Sequence, residues 1–222
     1  IIMPPKTAAQ ASVSGFVILH KDIQLGEKIG VGTFGIVYRG KYNQALAAIK
    51  QLKLDELPQT QLKEFVNEAE IMASLHHRNV IQLYGYTELA PYQIVMEFMD
   101  RGSLYNLLHS ETELSWQQRI TWGTDIAAGL HYLHTRDPRI IHRDLKSLNI
   151  VINGQNQAKL SDFGSAIAKL RTATATLTGS STVKAKPEQP ATGLVGSTRW
   201  MAPELFEDEL DPIYTSATDM FA

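Results

Sequence analysis

The sequence reads as an α+β chain: a five-stranded antiparallel sheet with one helix over residues 23–99, followed by a mainly helical part over 100–222. Three observations lead there. From Ile23 to Lys50 apolar residues alternate and the chain bends on glycines, as strands joined by tight turns do. Two further apolar runs, Val80 to Tyr86 and Tyr92 to Met99, have the length of strands. Ahead of these two runs Leu62, Phe65, Val66, Ala69, Met72 and Ala73 fall at helical spacing, and after Leu104 the composition becomes helical.

Bulk properties narrow the classes of function. A chain of 222 residues suits one large domain or two small lobes. A net charge of −2 gives no reason to expect nucleic acid or an anionic membrane surface as a partner. Without cysteine there is no disulfide framework, thiolate zinc site or cysteine nucleophile, and the redox compartment stays open. No apolar run approaches the ~20 residues of a membrane span. The opening Ile1-Ile2-Met3-Pro4-Pro5 lacks the charged start and apolar core of a signal peptide. The expectation is a cytoplasmic chain with no membrane span. Because it does not begin with methionine, it also reads as part of something longer.

Residues 1–22 read as linker and lead-in, with order beginning near Phe16. Gly30, Gly32, Gly35 and Val37 then follow the pattern G-x-G-x-x-G-x-V. Glycines there let backbone amides approach phosphates, but the first six positions are equally a dinucleotide fingerprint, and glycine pairs also simply make turns. The element that follows separates these readings. A dinucleotide fold needs a helix at the third glycine, whereas Ile36-Val37-Tyr38 and Ala45 to Lys50 look like strands. Lys50 ends one of those strands, where an isolated lysine is by default solvated. In the next helix Glu68 falls at the margin of the apolar stripe beside Met72, unlike Glu64 and Glu70, and so can face inward.

Asp100-Arg101-Gly102-Ser103 marks a turn before a short helix carrying Leu104, Leu107 and Leu108. Ser115-Trp116-Gln117-Gln118 has the form of a capping box. Beyond it Trp116, Ile120, Gly123, Ala127, Leu130 and His134 share one face, which predicts a long buried helix. That helix leads to His142-Arg143-Asp144-Leu145-Lys146-Ser147-Leu148-Asn149, a polar octet between Ile140-Ile141 and Ile150-Val151-Ile152. Next, Ile150 to Leu160, turning at Asn153-Gly154, predicts a hairpin that brings Asn149 near Asp162. The stretch to Glu204 is rich in Thr and Ser: Thr172, Thr174, Thr176, Thr178, Ser180, Ser181 and Thr182, then Lys184, Lys186, Pro187 and Pro190.

The octet resembles the catalytic loop H-R-D-L-x-x-x-N of eukaryotic-type protein kinases at every fixed position. The glycine loop, Ala47-Ala48-Ile49-Lys50, Asp162-Phe163-Gly164 and Ala202-Pro203-Glu204 resemble the family's other signatures, in its order. Gly196-Ser197-Thr198-Arg199-Trp200-Met201-Ala202-Pro203-Glu204 is similar to the form found in the tyrosine-kinase-like group, which includes mixed-lineage and Raf-type kinases. The resemblance implies a bilobal protein-kinase-like fold: N-lobe and hinge 23–99, and a partial C-lobe 100–222 with activation segment 162–204. It implies a serine/threonine kinase that uses ATP and Mg2+ on a protein substrate.

What the resemblance implies for single residues is specific. Asp144 accepts the substrate proton, and Lys146 neutralises charge on the γ-phosphate. Asn149 and Asp162 hold magnesium, and Lys50, paired with Glu68, holds the α- and β-phosphates. Ile29, Gly30, Val31, Gly32, Thr33, Phe34 and Gly35 cover the nucleotide, and Val37, Ala48 and Val151 help sandwich the adenine. Met96 takes the gatekeeper position, and Glu97-Phe98-Met99 form the hinge, binding through backbone groups. Leu83, Met72, His142 and Phe163 line up with the regulatory spine, although His142 also reads as an ordinary satisfied core histidine. Arg143 is positioned to capture a phosphate placed on the activation segment by an upstream kinase or by the chain itself. Ser197 stands where the family has threonine, and its hydroxyl is expected still to bond Asp144 and Lys146. Asp219 to Ala222 look like the opening of a further helix, so the C-lobe reads as truncated, leaving the long helix from Ser115 with an open face and Glu204 without its usual arginine. The competing readings are a pseudokinase or nucleotide-binding scaffold, and a dinucleotide-dependent oxidoreductase resting on the glycine loop alone.

Overall fold

The computed structural model describes residues 14–31, 35–53, 59–169, 197–206 and 212–222. The described residues form two compact units, those up to 129 with 147–164, and 130–146 with those from 165 onward. These units differ from the division at residue 99 read from the sequence, because both residues 100–129 and the hairpin at 147–164 belong with the sheet.

In the first unit the five strands are β1 (Ile23–Val31), β2 (Gly35–Tyr42), β3 (Ala45–Leu52), β4 (Leu83–Tyr86) and β5 (Gln93–Glu97). They pair antiparallel in the order β1-β2-β3-β5-β4. Asn43 and Gln44 both carry positive φ, 47° and 66°, so β2 and β3 are joined by the two-residue turn whose twist matches a hairpin. Helix α1 (Gln59–Ala73) lies between β3 and β4 in the chain and buries Phe65, Ala69, Ile71 and Met72. On the sheet itself Ala47, Ile49 and Val95 form a buried cluster, against which Ile18, Ile23, Tyr38 and Tyr42 pack.

β4 is shorter than the apolar run that predicts it. Val80 bridges Leu160 instead, and the Ile81 N–H donates to the Leu160 carbonyl at 2.9 Å. The Val80 N–H turns back to the His77 carbonyl at 3.1 Å, and the Ile81 N–H is satisfied by the hairpin of β7 (Ile150–Ile152) and β8 (Ala158–Leu160) rather than by the sheet. That hairpin closes through a longer turn than Asn153-Gly154 alone. Asn153 N–H donates to the Gln157 carbonyl at 3.1 Å, and the left-handed residue is Asn156, with φ 62°.

Helix α2 (Leu104–Leu108) is capped by Ser103, whose hydroxyl accepts from the Asn106 N–H at 3.2 Å. Helix α3 (Trp116–Thr135) starts on the predicted cap, Ser115 Oγ accepting from the Gln118 N–H at 3.2 Å, but its buried face is not the predicted one. Trp116 and Ile120 are 80% and 60% exposed, and Gly123 and Ala127 are exposed too. Of the predicted face Leu130 is buried, together with Trp122, Gly129 and Leu133 from outside it. The reason lies in three contacts with the hairpin. Trp122 Nε1 donates to the Asn156 carbonyl at 2.9 Å, Asp125 Oδ2 accepts from the Ala158 N–H at 2.9 Å, and Gly129 lies against Asn79 and Leu160. A carboxylate and a glycine on the packed face are invisible to an apolar-periodicity count.

In the second unit β6 (Arg139–Ile141) pairs antiparallel with β9 (Ile167–Lys169). Ile141, Met201, Ala202, Leu205 and Tyr214 form its core, with Ile167 packed against them. Helix α4 (Ser216–Phe221) opens on a capping box formed by Thr215 and Thr218. Among the described residues no helix is long and apolar enough to cross a membrane.

Gly129 offers a test in which two effects oppose. Glycine to alanine inside a helix usually adds about 1 kcal/mol of stability. Here the new Cβ would stand 2.7 Å from the Asn79 carbonyl oxygen, the acceptor of the Leu160 N–H, and 3.0 Å from the Leu160 side chain. Overpacking of this kind costs about 1–3 kcal/mol. Gly129→Ala is therefore expected to lower the thermal midpoint in a melting experiment, against the propensity.

Candidate functional site

In the first unit, three segments distant in sequence converge on one ammonium. Lys50, near the end of β3, places Nζ 2.7 and 3.0 Å from the two carboxylate oxygens of Glu68 on α1. The same Nζ lies 3.0 Å from Asp162 Oδ1, beyond the end of β8. Glu68, 5% exposed, does face inward, as its place at the margin of the apolar stripe suggests. Asp162 is held at φ 63°, and its side chain remains about half exposed at 48%. Electrostatics follow from this geometry. Burial works to lower the Lys50 pKa, but the charges of Glu68 and Asp162 and their hydrogen bonds outweigh it, so the ammonium is held protonated above its usual range. Burial pushes the Glu68 carboxyl upward, while Lys50 beside it pulls it down, and a contact to both oxygens is that of an ion pair.

The β7–β8 hairpin brings Asn149 and Asp162 close along the chain's return. The N–H and hydroxyl of Ser161 both reach the Asn149 carbonyl, each at 2.9 Å. Asn149 itself is buried. Among the described residues no group of three or more histidines or acids is gathered in the manner of an all-protein metal site. Asn149 and Asp162 offer two hard oxygen donors with one carboxylate partly open to solvent. That donor set fits Mg2+, which takes few protein ligands and completes its shell with water and phosphate oxygens.

The expected nucleotide cover divides into described and undescribed parts. Gly32, Thr33 and Phe34 lie outside the described residues. Ile29 and Val31 on β1 are exposed, at 47% and 59%, so neither is an ordinary core residue. Gly30 pairs with Val37 across the β1–β2 ladder, and a Cβ on it would find room. Gly35 has a structural reason of its own, since a Cβ there would stand 2.5 Å from the Gln51 carbonyl oxygen. Val37 pairs with Lys50, and Ala48, nearly buried, pairs with Met96. Val151 bridges Ser103. The side chain of Glu97 is already engaged: its carboxylate accepts from Lys159 Nζ at 2.6 and 2.8 Å and from the Gln82 N–H at 2.7 Å. Its backbone N–H is engaged too, donating to the Gln82 carbonyl at 3.0 Å. The Met99 carbonyl accepts from the Gly102 N–H at 3.1 Å in the following turn.

In the second unit Asp144, Lys146 and Ser197 close a triangle. Lys146 Nζ is 2.7 Å from Asp144 Oδ2 and 2.7 Å from Ser197 Oγ, and the Ser197 hydroxyl donates to Asp144 Oδ1 at 2.9 Å. The Ser197 hydroxyl thus makes both of the contacts expected of it from the sequence. His142 is fully buried, its backbone N–H donating to Asp219, and the Asp144 N–H points to its Nδ1 over a long 3.4 Å. Arg143, at φ 66°, donates from Nε to the Ser165 carbonyl and holds its guanidinium 5.2 Å from the centre of the Tyr214 ring. The serines and threonines from Thr172 to Thr182, with Lys184, Lys186, Pro187 and Pro190, lie outside the described residues. Glu204 is exposed.

Sequence reasoning missed Asp219, which it read only as part of an opening helix. Its carboxylate, 2% exposed, accepts from the backbone N–H groups of His142 at 2.8 Å and Arg143 at 2.9 Å, and meets His134 Nε2 at 2.8 Å. No local pattern announces this. The only sequence signal is an acid in the first turn of a helix, which ordinarily faces solvent.

With this geometry established, a family model described as protein tyrosine and serine/threonine kinase matches residues 23–222. Among curated proteins the chain is 35% identical over 192 residues to serine/threonine-protein kinase CTR1 of Arabidopsis thaliana, covering 85% of this chain and 22% of that protein. It is 36% identical over 199 residues to "Probable serine/threonine-protein kinase SIS8" of the same plant, covering 89% and 18%. Against "Probable serine/threonine-protein kinase drkB" of Dictyostelium discoideum the identity is 39% over 161 residues, covering 72% and 23%. The chain thus spans about a fifth of the length of these relatives.

Removing the central ammonium gives a pH signature. In Lys50→Met, burial and the neighbouring Asp162 both push the Glu68 carboxyl above its unfolded value. Stability from a protonated Glu68 is then fully present below the unfolded pKa and is lost as pH rises through the folded one. In the parent the Lys50 charge and hydrogen bonds offset that push, so Glu68 gives up its proton at lower pH than in the variant and forms the ion pair. The stability deficit of Lys50→Met is expected to grow from acidic to alkaline pH, toward the roughly 3–5 kcal/mol typical of breaking a buried pair. Urea midpoints of both chains across pH check it, and a pH-independent difference would show that Glu68 stays charged alone.

Proposed function

We propose that this chain, which belongs to the protein tyrosine and serine/threonine kinase family and to its tyrosine-kinase-like group, transfers the γ-phosphate of ATP to serine or threonine hydroxyls of a protein substrate. The observation that carries the proposal is Lys50 Nζ shared by Glu68 and Asp162. A lysine fixed by a buried glutamate is a rigid, permanently charged donor for the α- and β-phosphates. With Asp162 beside it, the phosphates and the metal-holding carboxylate meet at one place.

Kinases of this family use ATP with Mg2+. When bound, the metal neutralises charge on the β- and γ-phosphate oxygens. Asp162 and Asn149 would hold it. Backbone amides of residues 30–35 would cover the phosphates, Ile29, Val37, Ala48 and Val151 would enclose the adenine, and backbone groups of Glu97 and Met99 would fix its edge. Asp144 would accept the proton of the substrate hydroxyl as that oxygen forms its bond to γ-phosphorus and the bond from γ-phosphorus to the ADP oxygen breaks. Lys146 and Ser197 hold the two oxygens of the Asp144 carboxylate, which fixes the direction in which it can receive that proton. Lys146, two residues beyond the acceptor, supports serine/threonine over tyrosine specificity, as do the printed names of the relatives. Regulation by an upstream kinase or by self-phosphorylation in 162–204 belongs to the same reading. A phosphate there would compete with the Ser165 carbonyl and the Tyr214 ring for Arg143.

The test is magnesium-dependent transfer of labelled γ-phosphate to a generic basic protein. Asp144→Asn is expected to lower the rate by about 10²–10⁴, the usual worth of a positioned base, and the label is expected on serine or threonine. Label on tyrosine would overturn the specificity, and equal transfer by the variant would overturn the role of Asp144. In the same assay Ser197→Thr should stay near the parent. Ser197→Ala, which removes hydrogen bonds to both Asp144 and Lys146, should fall at least about tenfold, the worth of a single hydrogen bond to a charged group.

A further inference from the structure

We infer that the lead-in Ser14–Asp22 is a positioning element for helix α1, holding both aromatic walls of the socket that seats it and so setting the Lys50–Glu68 pair. The inference rests on the proposed kinase reading for its functional consequence, but its structural content is independent of it.

The lead-in lies on β4, the edge of the sheet, where backbone groups would otherwise be unpaired. Val17 makes a parallel bridge to Tyr86, and the Ile18 N–H donates to the Tyr86 carbonyl at 2.9 Å. The seat is shaped for it. A Cβ on Gly85 would stand 2.6 Å from the Phe16 carbonyl oxygen and would overlap the Ile18 side chain, so only glycine allows this approach. Ile18 then packs on the cluster of Ala47, Ile49 and Val95.

The lead-in and α1 meet on Tyr86, and on the neighbouring residues Pro91 and Tyr92. Phe65 of α1, 3% exposed, meets the Tyr86 ring edge-on at 6.3 Å and the Tyr92 ring at 5.7 Å. Tyr86 is the residue tied to Ile18. Tyr92 follows Pro91, whose carbonyl lies 3.0 Å from His20 Nε2 at the other end of the lead-in. The lead-in therefore ties the backbone on both sides of the Phe65 socket. Glu68 lies three residues beyond Phe65, about 4.5 Å along a rigid helix, so a shift of Phe65 in its socket carries the carboxylate away from Lys50.

Hydrogen–deuterium exchange on the whole chain tests this without requiring catalysis. Gly85→Val displaces the lead-in. Amides of residues 14–22 and 59–73 are expected to exchange several-fold faster, with the hairpin at 150–160 unchanged, while Ile18→Val keeps the parent pattern. His20→Ala removes only the Pro91 tie and is expected to raise exchange in 59–73 by a smaller factor. If Gly85→Val also exposes the hairpin, His20→Ala alone decides, and unchanged exchange in 59–73 in that variant overturns the inference. Faster exchange of 14–22 with a protected 59–73 overturns it as well. Labelled-phosphate transfer measured on the same variants should fall in step with exchange in 59–73. Absence of transfer in the parent would count against the kinase reading and leave the exchange result standing on its own.

Discussion

A buried ammonium is tolerable only where carboxylates meet it, and the first unit is arranged around that requirement. Lys50 is carried by a strand in the middle of the sheet order, Glu68 by a helix packed through Phe65, Ala69 and Met72, and Asp162 by the residue pair after a hairpin. Desolvating these groups separately would cost several kcal/mol each. Together they satisfy one another, and the cost ties three elements into one geometry. Any of the three moved by a helical turn would leave a charge in an apolar place.

The second unit answers a different constraint. Its polar segment from His142 to Lys146 runs through Arg143 at φ 66°, a conformation that a side chain with a Cβ disfavours by about 1–3 kcal/mol. Asp219 over-determines that conformation by accepting two consecutive backbone N–H groups, those of His142 and Arg143, on its two oxygens. The same carboxylate meets His134 at the end of α3. Beyond that anchor Asp144 is clamped by Lys146 and Ser197, so the loop is held by its backbone and its acid by side chains. Replacement of threonine by serine at 197 costs a methyl group and keeps the bonding, because the hydroxyl alone makes both contacts.

Most of the elements were legible in the sequence. Strands β1 to β3 and β5, helix α1 and the hairpin followed from periodicity and turn residues, and the inward place of Glu68 followed from its angle on the helix. Other features were not legible, for identifiable reasons. The buried face of α3 is defined by an indole N–H, an aspartate and a glycine meeting the hairpin, whereas periodicity weighs only apolar side chains. The apolar run 80–86 divides between two partners, the hairpin at Val80 and Ile81 and the sheet from Leu83, and apolarity does not say which backbone supplies the hydrogen bonds. Gly35 was read for phosphate contact, and the close Gln51 carbonyl gives it a packing role besides.

What the chain's order of residues determined by itself was the inventory of chemistry: the glycine loop, Lys50, the octet from His142 to Asn149, Asp162, and the signature ending at Glu204. Those depend on residue type and spacing, which a one-dimensional string carries in full. Only tertiary structure decided that Asp219 anchors the backbone at His142 and Arg143, that Glu97 pairs with Lys159, and that the lead-in and α1 both meet Tyr86. Each of these joins groups far apart in the chain, and such pairings depend on which surfaces meet. A carboxylate reads the same in sequence whether it faces water or receives two buried amides, and the fold supplies that difference.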